Sequence, residues 1–390
     1  MTFGGSFNPL HEACNDAHMS TGLRELIVGV GLAPGDISLD LGDFHPIAQG
    51  GFQLHLTLDG DTIVSAQPRI GFMHRGAEKL FEARDYKQIM MLANRHDWFS
   101  PFASELGVAL TLETAMGITP PVRATWIRML MAELTRVNAH LAFLVGTVID
   151  SQSRDCRTFR EKISVWFESA TGNRVHPMFA RIGGVAHDLD PELISTAGAI
   201  ATEIASNLSP WRDSIDAADL AGVAVLVKES ALGHGASGPV GHASGLANDL
   251  RVASPYMLYS ELEFLENTAP VDGDARSRFL QLAHELEQSA HLINQCVNTI
   301  NGSPAVDVNV VLPKVVRAPE GTTYSWSEGP TGINGWLLVS AGDKTPWRLK
   351  LRSASFNNFD ALTRTLAGLH IDQLPAAIKS TFIVIGDLDR

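Results

Sequence analysis

Three short stretches bring together side chains able to do chemistry. His74-Arg75-Gly76 follows a strand signal and puts a guanidinium on a loop. There it can face a charged cofactor or close a surface salt bridge. Arg95-His96-Asp97-Trp98 sets an imidazole, a carboxylate and an indole at a turn entering a Ser100-Pro101 helix start. Asp150 falls at the end of a long, mostly apolar helix pattern, where a carboxylate meets an unfavourable dipole. Such an acid is functional or paired, or it is a simple exposed helix end. On a later helix, His284, Glu287 and His291 share a face that could ligate a metal or meet solvent or a partner. The glycine-rich run from Gly233 to Pro239 leads into more Gly and Pro instead of a helix start. It reads as a loop near some ligand rather than as a phosphate cradle.

Other chemistry is excluded. Cys14, Cys156 and Cys296 are scattered with no CxxC pair, so the chain's thiols alone hold neither a zinc knuckle nor an iron–sulfur cluster. We expect no metal held by this chain, and such cysteines suit a reducing cytoplasm. There is no GxGxxG after a strand, no P-loop and no GxSxG elbow. The net charge of −13 argues against nucleic acid as the main partner, because phosphate binding needs a basic face. No basic stretch leads into an apolar core near Met1, which predicts no signal peptide. The apolar runs are broken by charge well short of the ~20 residues a spanning helix needs. Any membrane contact is therefore expected through a partner.

The elements that must position these residues follow from periodicity. Residues 1–24 lack it and read as a flexible tail, leaving 25–390 as a single domain. Phe52, Leu54, Leu56 and Leu58 alternate with polar residues, Asp59-Gly60 turns the chain and Ile63-Val64 resumes, a β-hairpin. Helical spacing starts at Gly76. Helices are expected from Ser100-Pro101 to Gly117, from Thr119-Pro120 to about Val148, over 153–170, over 190–227 and over 272–300. Thr322–Ser327, Trp336–Ser340 and Trp347–Arg352 read as strands before two short helices. The layout is α+β, a central helical bundle with small antiparallel β elements at both ends.

These stretches also carry a resemblance. Phe44-His45-Pro46 through Gly50, the hairpin, and the run from Pro68 to Leu80 resemble the start of the D-type (catalytic) subunit of NADH:quinone oxidoreductase, complex I. Pro121 to Ala124, Met131 to Arg136 and Arg181 to Val185 continue it. So do Gly238-Pro239, Asp249 to Arg251, Pro255-Tyr256, Pro346 to Arg348 and Asp389-Arg390. The match runs almost collinearly over roughly 40–390.

That family shares its fold with the large subunit of nickel–iron hydrogenases, so the resemblance implies a hydrogenase-large-subunit-like fold. The hydrogenases hold their metals with two CxxC pairs. Here those positions are Asp97 and Ser100, and Val384 and Asp387, without a thiolate. Nickel chemistry needs soft sulfur ligands and is not expected. The resemblance implies an electron-transfer subunit of a membrane-associated assembly, peripheral on the cytoplasmic side. It implies a cavity for a quinone beside an iron–sulfur cluster held by a partner subunit. The His and Tyr that bind the quinone headgroup align with Gln49 and Trp98, and the Asp that holds the His aligns with Asp150. Arg75 keeps the position beside the cluster, with His45 and His74 as further cofactor-facing side chains. An Arg of the glycine-rich loop is replaced by His242. Gln does not titrate and an indole does not act as an acid, so protons must come from water or from His45, His74 or His96. The alternatives are that the substrate is not a quinone, or that the chain is a structural scaffold. The loops around Trp98-Phe99 and Trp166-Phe167 are expected to face a partner, core packing being the other reading.

Overall fold

A computed structural model describes residues 23–29, 51–145 and 150–390, with only the backbone described for 150–154. Strands β1 (Arg24–Gly29), β2 (Gln53–Asp59) and β3 (Thr62–Arg69) form an antiparallel sheet in that order. Alternation in β2 works as expected: Leu54, Leu56 and Leu58 are buried against Val28 and Ile63, while His55 and Thr57 are only half-buried. Strand β1 begins at the very edge of the stretch expected to be a tail.

Helices α1 (Ala77–Glu82) and α2 (Tyr86–Ala93) lead to α3 (Pro101–Met116), which opens at Ser100-Pro101 and stops at Gly117 in the left-handed conformation. Helix α4 (Val122–Val145) is the centre of the molecule. Apart from Val122, Ala132 and Asn138 all its residues are buried, which marks a helix enclosed on every side. Helix α5 (Asp150–Thr171) packs on it and ends at Gly172. A short ribbon of β4 (Ala180–Arg181) and β5 (Gly184–Val185) follows.

The expected 190–227 helix is broken. Helix α6 (Pro191–Ser206) ends at Asn207, α7 (Leu208–Ala217) follows it, and 218–227 is turn and irregular chain. The break lets Ile204, Leu208 and Trp211 all reach the core. The glycine-rich run also departs from expectation. It joins α8 (Lys228–His234) to α9 (Gly238–Ala243), with Pro239 in the first turn of a real if short helix.

After α10 (Leu250–Ala253), helix α11 (Ala275–Asn301) packs along α4 and α6. Strands β6 (Gly321–Gly329), β7 (Gly332–Ser340) and β8 (Arg348–Arg352) make the C-terminal antiparallel sheet, which lies on α3. Trp336 on β7 is fully buried over Gly107, where any Cβ would come within 2.4 Å of the indole nitrogen. Helices α12 (Ala354–Thr363), α13 (Leu374–Lys379) and α14 (Ile385–Leu388) close the chain. One continuous apolar core runs from Val28 to Leu388, an α+β arrangement with small sheets flanking a bundle.

Trp166 and Phe167 belong to this core, 2% and 5% exposed and packed edge to face. They are not the partner-facing surface. Trp98 and Phe99 are half-buried against the same core. Among the described residues, no helix is long and apolar enough to cross a membrane.

Candidate functional site

Helix α14 brings the end of the chain against the loop between α2 and α3, and three of the four positions aligned with cysteine pairs, Asp97, Ser100 and Asp387, line one small cavity there. Gly386 makes this possible, since a Cβ at that residue would lie 2.1 Å from the His96 carbonyl and 3.0 Å from the Trp98 ring. Asp97 accepts from the backbone N–H groups of Phe99 and Ser100, both at 3.0 Å, and from the Ser100 hydroxyl. Asp387 accepts from the Ser355 N–H at 3.1 Å, and the Ser355 hydroxyl accepts from the Val384 N–H at 3.2 Å. His96 Nε2 stands 3.5 Å from Asp387.

All of these side chains are buried, and the electrostatics follow from that. Burial first, and the Asp387 charge second, push the Asp97 carboxyl up to about 6. Burial also raises Asp387 and pulls His96 down to about 4. At neutral pH His96 is therefore an uncharged imidazole. Asp97 is the group of the corner that gives up its proton at about pH 6. A cavity of ≈ 10 Å³, room for one water at most, lies between these side chains and the turn joining β6 to β7.

The other expected site residues surround α14. Asp389 accepts from the N–H groups of Gly71 at 2.7 Å and Met73 at 2.8 Å, pinning the loop after β3. His74 Nδ1 donates to the Asp389 carbonyl at 2.8 Å. Arg75 is exposed and donates to the Arg95 carbonyl at 3.0 Å. Trp98 lines a narrow pocket of ≈ 50 Å³ with Thr135, Arg160 and Phe167. Asp150 is the first described residue of α5, and its side chain and the residues just before it lie outside the described ones. Gln49 and His45 lie outside the described residues. The structure thus gathers His74, Arg75 and Trp98 around the last turn of the chain.

Sequence reasoning missed a second buried cluster. On α4, Glu133 accepts from Arg251 at 2.9 Å, from the Tyr259 hydroxyl and from the Ser289 hydroxyl, both at 2.7 Å. Arg136 donates to the carbonyls of Glu328 at 2.7 Å and Gly329 at 2.8 Å. Glu285 on α11 joins His140, at 3.1 Å, to His242, at 2.9 Å. Burial pushes the Glu285 carboxyl up, but the two imidazoles outweigh it and hold it well below the usual range. Burial lowers His242, yet Glu285 overrides it and raises that ring above its usual value, while burial outweighs Glu285 at His140 and lowers it. Glu328, beside the turn, is pushed up to about 7 by burial and by Asp249. The spacing Glu133, Arg136, His140 on one apolar helix was the signal available. As for the expected metal-capable face, Glu287 pairs with Arg212 and His284 is buried. Among the described residues, no group of three or more could hold a metal.

Comparison with known proteins adds ancestry to this geometry. The family model for the respiratory-chain NADH dehydrogenase 49 Kd subunit matches residues 154–315 and 308–390. The second D-type subunit of NADH-quinone oxidoreductase in Salinispora tropica is 44% identical over 381 residues, covering 94% of this chain and 98% of the relative. The first D-type subunit of Streptomyces coelicolor is 43% identical, covering 95% and 100%. The D-type subunit of Clostridium beijerinckii is 32% identical, covering 91% and 97%. With similarity of that depth along nearly the full length of both partners, the chain belongs to the family of the respiratory-chain NADH dehydrogenase 49 Kd subunit, the D-type subunits of NADH-quinone oxidoreductase.

Proposed function

We propose that this chain is an electron-transfer subunit of a complex-I-like NADH:quinone oxidoreductase. What carries the reading is its full-length similarity to proteins named as D-type subunits of NADH-quinone oxidoreductase. In it, Arg75 and His74 face an iron–sulfur cluster held by a partner subunit, with His45 on the same side. Gln49, Trp98 and Asp150 line the quinone headgroup cavity. The fold is that of a hydrogenase large subunit whose metal-binding corner has been rebuilt, and the meeting of Asp97, Ser100 and Asp387 supports this. With carboxyl and hydroxyl groups there instead of thiolates, the corner does not suit nickel. The assembly sits peripherally at the cytoplasmic face of a membrane, touching it through other subunits.

The rebuilt corner also addresses the missing acids. His96 is too weak a base to be charged near neutrality, whereas Asp97 carries a proton close to pH 6. We assign Asp97, backed by Asp387, as the residue that holds a proton near the reduced quinone. The second reading is a scaffold subunit, favoured by Gln49 and Trp98, which cannot donate protons.

Restoring the acids separates the two. In the assembled complex, Gln49→His with Trp98→Tyr should raise quinone-dependent activity, since general acid catalysis contributes ~10²–10⁴-fold. Asp150→Asn in that background should remove much of the gain. If the double variant assembles normally and its quinone activity stays at background, the cavity is not a quinone site.

A further inference from the structure

Between α2 and the β4–β5 ribbon lies a cavity of ≈ 360 Å³, within the range of about 300–1,000 Å³ that small-molecule sites occupy. Helix α2 contributes Lys87 and Met90, three residues apart and so on one face. Met178, Arg181 and Ile182 come from the ribbon and its approach. Val310 comes from the segment tied to the ribbon, its N–H donating to the Gly183 carbonyl at 3.0 Å. Met90 and Ile182 are buried and Lys87 is exposed, so the cavity has an apolar floor and a charged rim.

Met178 is held in the left-handed backbone region, φ 47°, which a residue other than glycine keeps only where its surroundings fix it. Here they fix it from both sides. Its N–H donates to Glu105 at 2.7 Å, and its carbonyl accepts from Arg181 at 2.5 Å. The thioether is thereby set into the cavity wall beside that of Met90.

The two cations of the lining are not neutralised. Among the described residues, Lys87 reaches only the carbonyls of Pro313 and Lys314, at 3.4 and 3.5 Å. Arg181 reaches only those of Met178 and Ala180. The one carboxyl group in the lining, Glu105, has both oxygens taken, by the N–H groups of Met178, Phe179 and Ala180 and by the Asn94 amide. Burial also raises it above its usual range, which weakens its hold on a cation.

We propose that this cavity binds an amphipathic anion, an acyl chain lying on Met90, Met178, Ile182 and Val310 with its carboxylate or phosphate at Lys87 and Arg181. Thioethers adapt to a flexible chain, and a guanidinium with an ammonium matches an anionic head. A neutral apolar molecule would leave both cations unmatched, and a small inorganic anion would leave the apolar wall uncovered. Binding here does not depend on quinone chemistry beside Trp98.

The test uses the intact assembly and dodecanoate carrying a photoreactive diazirine near the end of its tail. After illumination, mass spectrometry should place the label on α2, on the ribbon or beside Val310. Unlabelled dodecanoate should compete it away, whereas dodecanol, equally long but neutral, should compete about tenfold less well. Dodecyl phosphate should also compete, and the stronger of the two anions identifies a fatty acid or a phospholipid as the source. Lys87→Gln with Arg181→Gln should lower labelling about tenfold. Val310→Trp, which fills the cavity and leaves both cations in place, should lower it as well. Label found only elsewhere, or dodecanol competing as well as dodecanoate, would overturn the proposal, and both readings need no variant. So would unchanged labelling of the doubly neutralised chain.

Discussion

Two buried polar regions of this molecule, about equally dry, have opposite electrostatics. Between α4 and α11, Glu133 has Arg251 and Arg136, and Glu285 has His140 and His242. Every charge there has an opposite charge within reach, and the carboxyl groups are held low. Around α14, Asp97 and Asp387 have backbone N–H groups, hydroxyls and a neutral imidazole but no cation hydrogen-bonded to them. Their carboxyls are pushed up instead. The difference separates roles. Paired buried charges specify the fold, whereas unpaired ones keep a proton available near neutral pH. Glu328 sits at the seam, with its backbone tied to Arg136 and its carboxyl raised like those around α14.

The contrast is broken most forcefully by removing a cation from the paired region. Arg251→Met takes a cation from the buried Glu133 and from the half-buried Asp249, and should cost about 3–5 kcal/mol in chemical denaturation, enough to threaten folding. Glu285→Gln is milder. It weakens two charge-assisted hydrogen bonds, about 1.5–3 kcal/mol in all. Its pH dependence has a definite sign. The lowered Glu285 gives stability above pH 4.5 that fades as pH falls through its folded value. The raised His242 gives stability below pH 6.5 that fades as pH rises through its folded value. The loss caused by Glu285→Gln should therefore peak between those limits and shrink on the alkaline side.

The unpaired region should answer in the opposite direction. Because Asp97 titrates at about 6 in the fold against 3.8 unfolded, its ionisation destabilises the protein as pH rises through that window. Asp97→Asn should gain about 1–3 kcal/mol at pH 8 and nothing below pH 4, while lowering quinone turnover. The smallest effect on stability is expected at Arg75, whose exposed guanidinium has one bond, to the Arg95 carbonyl. Arg75→Lys should change stability by less than about 0.5 kcal/mol, yet slow electron transfer measured in the assembled complex.

Elements set by local signals were legible in the sequence. Alternation gave the β2–β3 hairpin, and Ser100-Pro101 with Gly117 bounded α3 closely. Where tertiary packing overrides a continuous helical pattern, as at Asn207, the pattern alone could not show the break. The corner formed by Asp97, Ser100 and Asp387 is reached through resemblance, but its raised carboxyls come from burial, which no spacing reveals. The paired region was hidden for a different reason. Glu133 shows on α4, but its partner Arg251 lies 118 residues along the chain and Glu285 lies 145 residues from His140.

The central claim is that the Asp97–Asp387 corner holds a proton up to about pH 6, well above the usual carboxylate range. Infrared difference spectroscopy across pH 4–8 on the intact assembly tests it most directly. The account predicts a protonated-carboxyl band that disappears with a midpoint near pH 6 and is missing in Asp97→Asn. A band that survives in Asp97→Asn, or carboxyls already fully ionised at pH 5, would contradict it.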